Sequence, residues 1–206
     1  MTPDELTKAL PPGGSASIPY TDPLNPDRKL VLECHRPATH TPDKPVVIVQ
    51  HGMNRNGNEY RDAWIPAADR HGLLIVAITF PAASWPGSGP YNNGLVHADD
   101  GSVRPAEAWS FAIPGRVFAL LRAAGMTTRD KAYLWGHSAG SQFVHRLLAT
   151  QPPDLFEAVG AANAGWYSVP TLDRAYPEGL GGIGLTRNDL VKLLTYPLVI
   201  FAGEDH

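Results

Sequence analysis

The sequence predicts an α/β fold: a mostly parallel, doubly wound sheet with helices on both faces. Three observations lead to it. Short apolar runs alternate with segments of helical spacing. Several runs are apolar at consecutive rather than alternate positions, as expected of strands covered on both faces. Two long irregular stretches each follow a predicted strand, so each leaves the sheet at its carboxyl edge, where open α/β folds bind ligands.

The first predicted strand is 30–34 (LVLEC), followed by 46–50 (VVIVQ), 73–80 (LLIVAITF), 132–135 (AYLW), 157–161 (EAVGA) and 198–202 (LVIFA). Helical spacing covers 59–70, 114–124, 139–150 and 187–194; in the third of these Phe143, Val144, Leu147 and Leu148 form one apolar stripe. The irregular stretches are 81–105 and 164–185, rich in Gly, Pro and aromatic residues. Loops beyond about 12 to 15 residues are uncommon unless functional or disordered, and Trp85, Tyr91, Trp166 and Tyr167 argue against disorder. Those four rings either pack over the rim of the sheet or form a substrate-binding wall.

The 206 residues, 43% hydrophobic and 18% charged, are enough for a sizeable core, and a single domain over 1–206 is the default. The net charge of -3 and the lack of a basic block give no reason to expect nucleic acid or an anionic membrane as partner. The lone cysteine, Cys34, lies in a strand-like run and reads as a structural thiol. The N-terminus, MTPDELTKAL, lacks the apolar region of a secretory signal, and no run approaches the ~18 apolar residues of a membrane span. A cytoplasmic location is expected, unless a leader has been trimmed.

Chemistry enters at Gly136-His137-Ser138-Ala139-Gly140, a G-x-S-x-G pattern. A strand-like run precedes it and an amphipathic helix follows, the context in which such a serine sits on a strained strand-to-helix turn. Glycines two residues to either side leave room where the backbone folds close on itself. At a helix N-terminus, free N–H groups favour developing negative charge. The bland alternative is a serine in an ordinary Gly-rich turn.

Acyl transfer also needs donors for the carbonyl oxygen. The Ala139 amide is one, and the loop after 46–50 supplies the second, with the Met53 amide as candidate and Asn54 next. His51 is either part of this feature or a structural strand end. Two other patterns carry less. Gly179, Gly181 and Gly184 satisfy G-x-G-x-x-G, with Glu204 falling 20 residues after the last glycine, but no strand-like run precedes them, so a glycine-rich rim loop is preferred to a dinucleotide site. His97, Asp99 and Asp100 lack a second cluster and read as a solvated loop rather than a metal site.

Together HGMNRNGNEYRDAW, FPAASWPGSGPYNNG, GHSAG and ANAGWY resemble the α/β-hydrolase superfamily, and within it the polyhydroxybutyrate depolymerase-like and feruloyl esterase-like serine esterases, from about residue 28 onward. The resemblance implies carboxylic ester hydrolysis through an acyl-enzyme on Ser138, without metal or organic cofactor, on short hydroxyalkanoate or related esters. It also implies a triad in the order Ser, acid, His. After Ser138 the only histidines are His145, expected to point away, and His206, too close to the acid candidates. The expected base therefore lies beyond residue 206, in a further helix, strand and loop. Asp205 is the expected acid, with Glu204 or a later residue as competitors. The alternatives are a peptidase or acyltransferase on the same fold, and a catalytically inactive binding protein.

Overall fold

The computed structural model describes residues 1–151 and 154–204. Its elements run α1 (Pro3–Ala9), β1 (Gly14–Thr21), β2 (Lys29–Arg36), β3 (Val46–Gln50), α2 (Gly57–His71), β4 (Leu74–Thr79), α3 (Ile113–Ala123), β5 (Ala132–His137), α4 (Ala139–Thr150), β6 (Phe156–Ala162), α5 (Arg187–Thr195) and β7 (Leu198–Phe201). The strand order is β1-β2-β4-β3-β5-β6-β7. From β4 through β3, β5 and β6 to β7 the pairing is parallel, while β1 and β2 join antiparallel. This is the mostly parallel sheet with helices that the sequence predicts.

The consecutive apolar runs have the expected cause. Every residue of β3 and β4 is buried, and successive side chains point to opposite faces. Val46 and Ile48 join the larger cluster with Phe118 and Leu121 of α3, Phe143 and Leu147 of α4, and Leu6 of α1. Val47 and Val49 join a smaller cluster under α2, with Ala68, Tyr60 and Trp64. Cys34 is buried in the larger cluster, and burial pushes its thiol up to about 12.

The fold also holds two elements not predicted from sequence. The residues of β1 alternate between exposed and buried only in their second half, and the strand contains Pro19. As an edge strand paired only with β2, it tolerates a residue without an N–H. Helix α1 has only seven residues and is set by a capping box in which Thr2 and Glu5 satisfy each other's backbone amides at 3.2 and 2.7 Å. At the other edge, β7 leaves Val199, Ile200 and Phe201 about half exposed. Among the described residues no helix is long and apolar enough to cross a membrane.

Candidate active site

Strand β5 does not stop at Trp135 but continues through Gly136 and His137, paired with Ala161 and Ala162 of β6. Ser138 follows immediately, with its amide bonded to the Ala162 carbonyl at 2.9 Å and its carbonyl accepting from the Gln142 amide at 3.1 Å to open α4. Between those bonds its backbone adopts φ 55° and ψ -118°, a region costing a non-glycine residue about 1–3 kcal/mol. The side chain does not cap its own helix, and no hydrogen bond engages its Oγ among the described residues.

The flanking glycines are sterically required. A Cβ on Gly136 would lie 2.1 Å from the Gly140 carbonyl oxygen, and one on Gly140 would lie 2.2 Å from that of Gln50. The second contact also brings the elbow against the end of β3. Beyond it, a Cβ on Gly52 would sit 3.5 Å from Ser138 Cβ and 3.8 Å from its Oγ. The loop that carries Met53 therefore runs beside the serine. No backbone acceptor takes the amide hydrogens of Met53 or Ala139 among the described residues.

That loop is held from several sides. His51 Nδ1 donates to the Gly52 carbonyl at 2.7 Å and its Nε2 accepts the Phe80 amide at 3.0 Å, so the ring is a structural joint. Burial lowers its pKa to about 4, keeping it neutral. The Tyr91 hydroxyl donates to the His51 carbonyl at 2.6 Å. Arg55, itself at φ 60°, lies over the Tyr91 ring and donates to the carbonyls of Phe80, Trp85 and Gly87. The Tyr60 hydroxyl meets His137 Nδ1 at 2.8 Å.

Among the described residues no histidine ring bonds Ser138. His145 points elsewhere, as expected: Nδ1 donates to the Ser141 carbonyl at 2.8 Å and Nε2 accepts the Ser168 amide at 3.0 Å. It too is lowered to about 4 by burial. Asp205 and His206 lie outside the described residues. Glu204 is exposed, and Gly203 just before it donates to Asn163 Oδ1 at 2.8 Å, tying the end of β7 to the loop after β6.

The rim aromatics divide, and two of the four depart from the substrate-wall alternative. Trp85 and Tyr91 are both 0% exposed: the Trp85 indole donates to the Lys29 carbonyl, and Tyr91 packs on Phe80 and Phe143. Trp166 is exposed, lying over the Arg146 guanidinium, and Tyr167 is partly buried beside His145. Arg146 is a residue that sequence reasoning missed. It is fully buried on α4 and donates to Ser168 Oγ, the Asn92 carbonyl and Asn93 Oδ1 at 2.7–2.8 Å, joining both rim loops. The glycines of 179–184 belong to the second rim loop, where Gly179 and Gly181 fit against Leu172 and Arg174, with no strand leading into them.

Neither the family models nor the curated proteins compared with the chain give a match. Solved structures do. The chain is similar to LpqC, a poly(3-hydroxybutyrate) depolymerase from Bordetella parapertussis, at 50% identity and a TM-score of 0.95, covering 99% of this chain and 70% of that one. It is similar to poly(aspartic acid) hydrolase-1 from Sphingomonas sp. KT-1 at 34% identity and a TM-score of 0.88, over 94% of this chain and 73% of the other. An S-formylglutathione hydrolase from Agrobacterium tumefaciens shares the fold, at 14% identity and a TM-score of 0.65, over 93% of this chain and 76% of its own. With a serine raised on a strained turn between β5 and α4, and relatives of this identity and coverage, the chain belongs to the α/β-hydrolase superfamily and resembles its poly(3-hydroxybutyrate) depolymerase-like members.

Proposed function

We propose that the protein is a serine carboxylic-ester hydrolase acting on short hydroxyalkanoate or related esters. The observation that carries this reading is Ser138 itself: a non-glycine residue at φ 55° at the head of α4, with its Oγ free of hydrogen bonds among the described residues and beside the Gly52 backbone. In this reading Ser138 Oγ attacks the ester carbonyl carbon and its proton passes to a histidine outside the described residues. The carbonyl oxygen, now negative, accepts from the amides of Ala139 and Met53. Collapse expels the alcohol with that proton, and water then releases the acid from the acyl-enzyme. The Bordetella relative's named substrate supports the hydroxyalkanoate assignment. A second reading, cleavage of an amide in a polyacid chain, is favoured by the name of the Sphingomonas relative.

The test is turnover of nitrophenyl esters of graded acyl length, 3-hydroxybutyrate oligomers and poly(aspartic acid), with Ser138→Ala alongside. Ester turnover lost in the variant supports the proposal. Equal turnover by the variant removes Ser138 from the chemistry, and preference for the polyacid favours the amide reading. No turnover and no labelling by a serine-directed phosphonate would leave a binding protein.

A further inference from the structure

Tyr60 stands on the first turn of α2, outside both the elbow and the loop it faces. Its ring packs with the smaller apolar cluster of Val47, Val49, Ala68, Ile75 and Ala77, which holds the phenol in one direction. Its oxygen then lies against two segments at once, bonded to a side chain of one and close to the main chain of the other. One is His137, the residue before the nucleophile, whose Nδ1 lies 2.8 Å away. The other is Gly52, the residue before Met53: a Cβ there would fall 3.0 Å from the Tyr60 oxygen.

These arms come from different strands, β3 and β5, and each carries one of the amides that the proposed reaction uses. The elbow arm is strained at Ser138 and the loop arm has Met53 at 48% exposure, with Arg55 at φ 60° after it. Neither geometry is self-sustaining, because backbone in such regions persists only where its surroundings enforce it. Arg55 and Tyr91 restrain the loop against the first rim loop, whereas among these groups only Tyr60 reaches the elbow. Burial raises the Tyr60 hydroxyl pKa, an effect that the Gly52 backbone partly offsets, so the phenol stays protonated at neutral pH.

We propose that Tyr60 is a positioning residue for hydrolysis: its hydroxyl holds Gly52 and His137 at a fixed separation, and so sets the spacing of the Met53 and Ala139 amides around the reacting carbonyl. This rests on the ester-hydrolase reading above. A donor pair spaced for the tetrahedral species matters more in the transition state than in the ground state, so its loss appears in kcat rather than KM.

The experiment compares wild type, Tyr60→Phe, His137→Ala and the double variant on one nitrophenyl ester, with kcat normalised to sites titrated by a serine-directed phosphonate. Phe keeps the ring in its cluster and removes only the oxygen, and the normalisation discounts any unfolded fraction. The expected result is a kcat about tenfold lower in Tyr60→Phe, the size of one lost hydrogen bond expressed in the barrier, with KM within about twofold. The double variant should lose no more than His137→Ala alone, because both remove the same link. A wild-type kcat in Tyr60→Phe, additive losses in the double variant, or a rise in KM alone would each overturn the proposal. Turnover that survives Ser138→Ala would instead defeat the hydrolase reading beneath it, and absent turnover and labelling would defeat both.

Discussion

Gly140 and Gln50 meet backbone to backbone: a Cβ on the glycine would lie 2.2 Å from the Gln50 carbonyl oxygen and 2.8 Å from that of His51. Both obstacles are main-chain atoms at the end of a buried strand, which cannot swing aside as a flexible side chain does. Gly140→Ala should therefore push the elbow away from the loop carrying Met53. The expected cost is about 1–3 kcal/mol of stability from overpacking, with ester turnover reduced beyond what the unfolded fraction explains. Gly89→Ala is the control, since its Cβ would meet nothing within 4 Å. Urea denaturation and kcat measured on the same preparations check both.

Arg146 joins the two rim loops from beneath. Its guanidinium bonds Ser168 of one loop and Asn92 and Asn93 of the other, while its Nη2 has no hydrogen-bond partner among the described residues. Arg146→Met should remove the donor from those three acceptors, the Asn92 carbonyl fully buried and Ser168 Oγ and Asn93 Oδ1 partly so, and cost about 2–4 kcal/mol. Limited proteolysis should then cut faster within 81–105 and 164–185 than elsewhere. Arg146→Lys should recover only part of the loss, because an ammonium lacks the planar fork that reaches both loops.

Acid should destabilise the fold through His51 and His145. Both are held near pKa 4 by burial, against 6.5 for the unfolded side chain. The unfolded chain binds the extra protons, so the stabilisation these neutral rings allow is complete above about pH 6.5 and falls as pH drops toward 4. The loss is on the order of 3 kcal/mol per ring across that window. Thermal unfolding followed by circular dichroism from pH 7 to pH 4 checks it. His145→Gln, which removes one titrating ring, should flatten the slope below pH 6.5 even if it lowers the melting temperature at pH 7.

The strands and the nucleophile turn were legible because they depend on local chemistry. Consecutive apolar residues in 46–50 and 73–80 report burial on two faces, and β3 and β4 are buried throughout. The glycines around Ser138 mark a backbone that closes on itself, and the contacts of Gly136 and Gly140 supply the reason. Helix α1 and strand β1 were not legible. One is too short to show a period, and the other contains a proline that only its edge position accommodates.

The rim and the supports of the site escaped for a different reason. Composition marked Trp85 and Tyr91 as ordered, but an irregular loop has no period to say which way a ring points, and both turned into the core. Tyr60 lies 77 residues from the histidine it touches, and Arg146 lies 53 and 54 residues from its partners in the first rim loop. The amino-acid order alone determined six strands of the sheet, the four longer helices and the serine raised between β5 and α4, since each follows from hydrophobic period or backbone sterics over a few residues. Which side chains brace that serine was decided only when β3 and β5 paired in register, because that pairing sets distances between segments far apart in the chain.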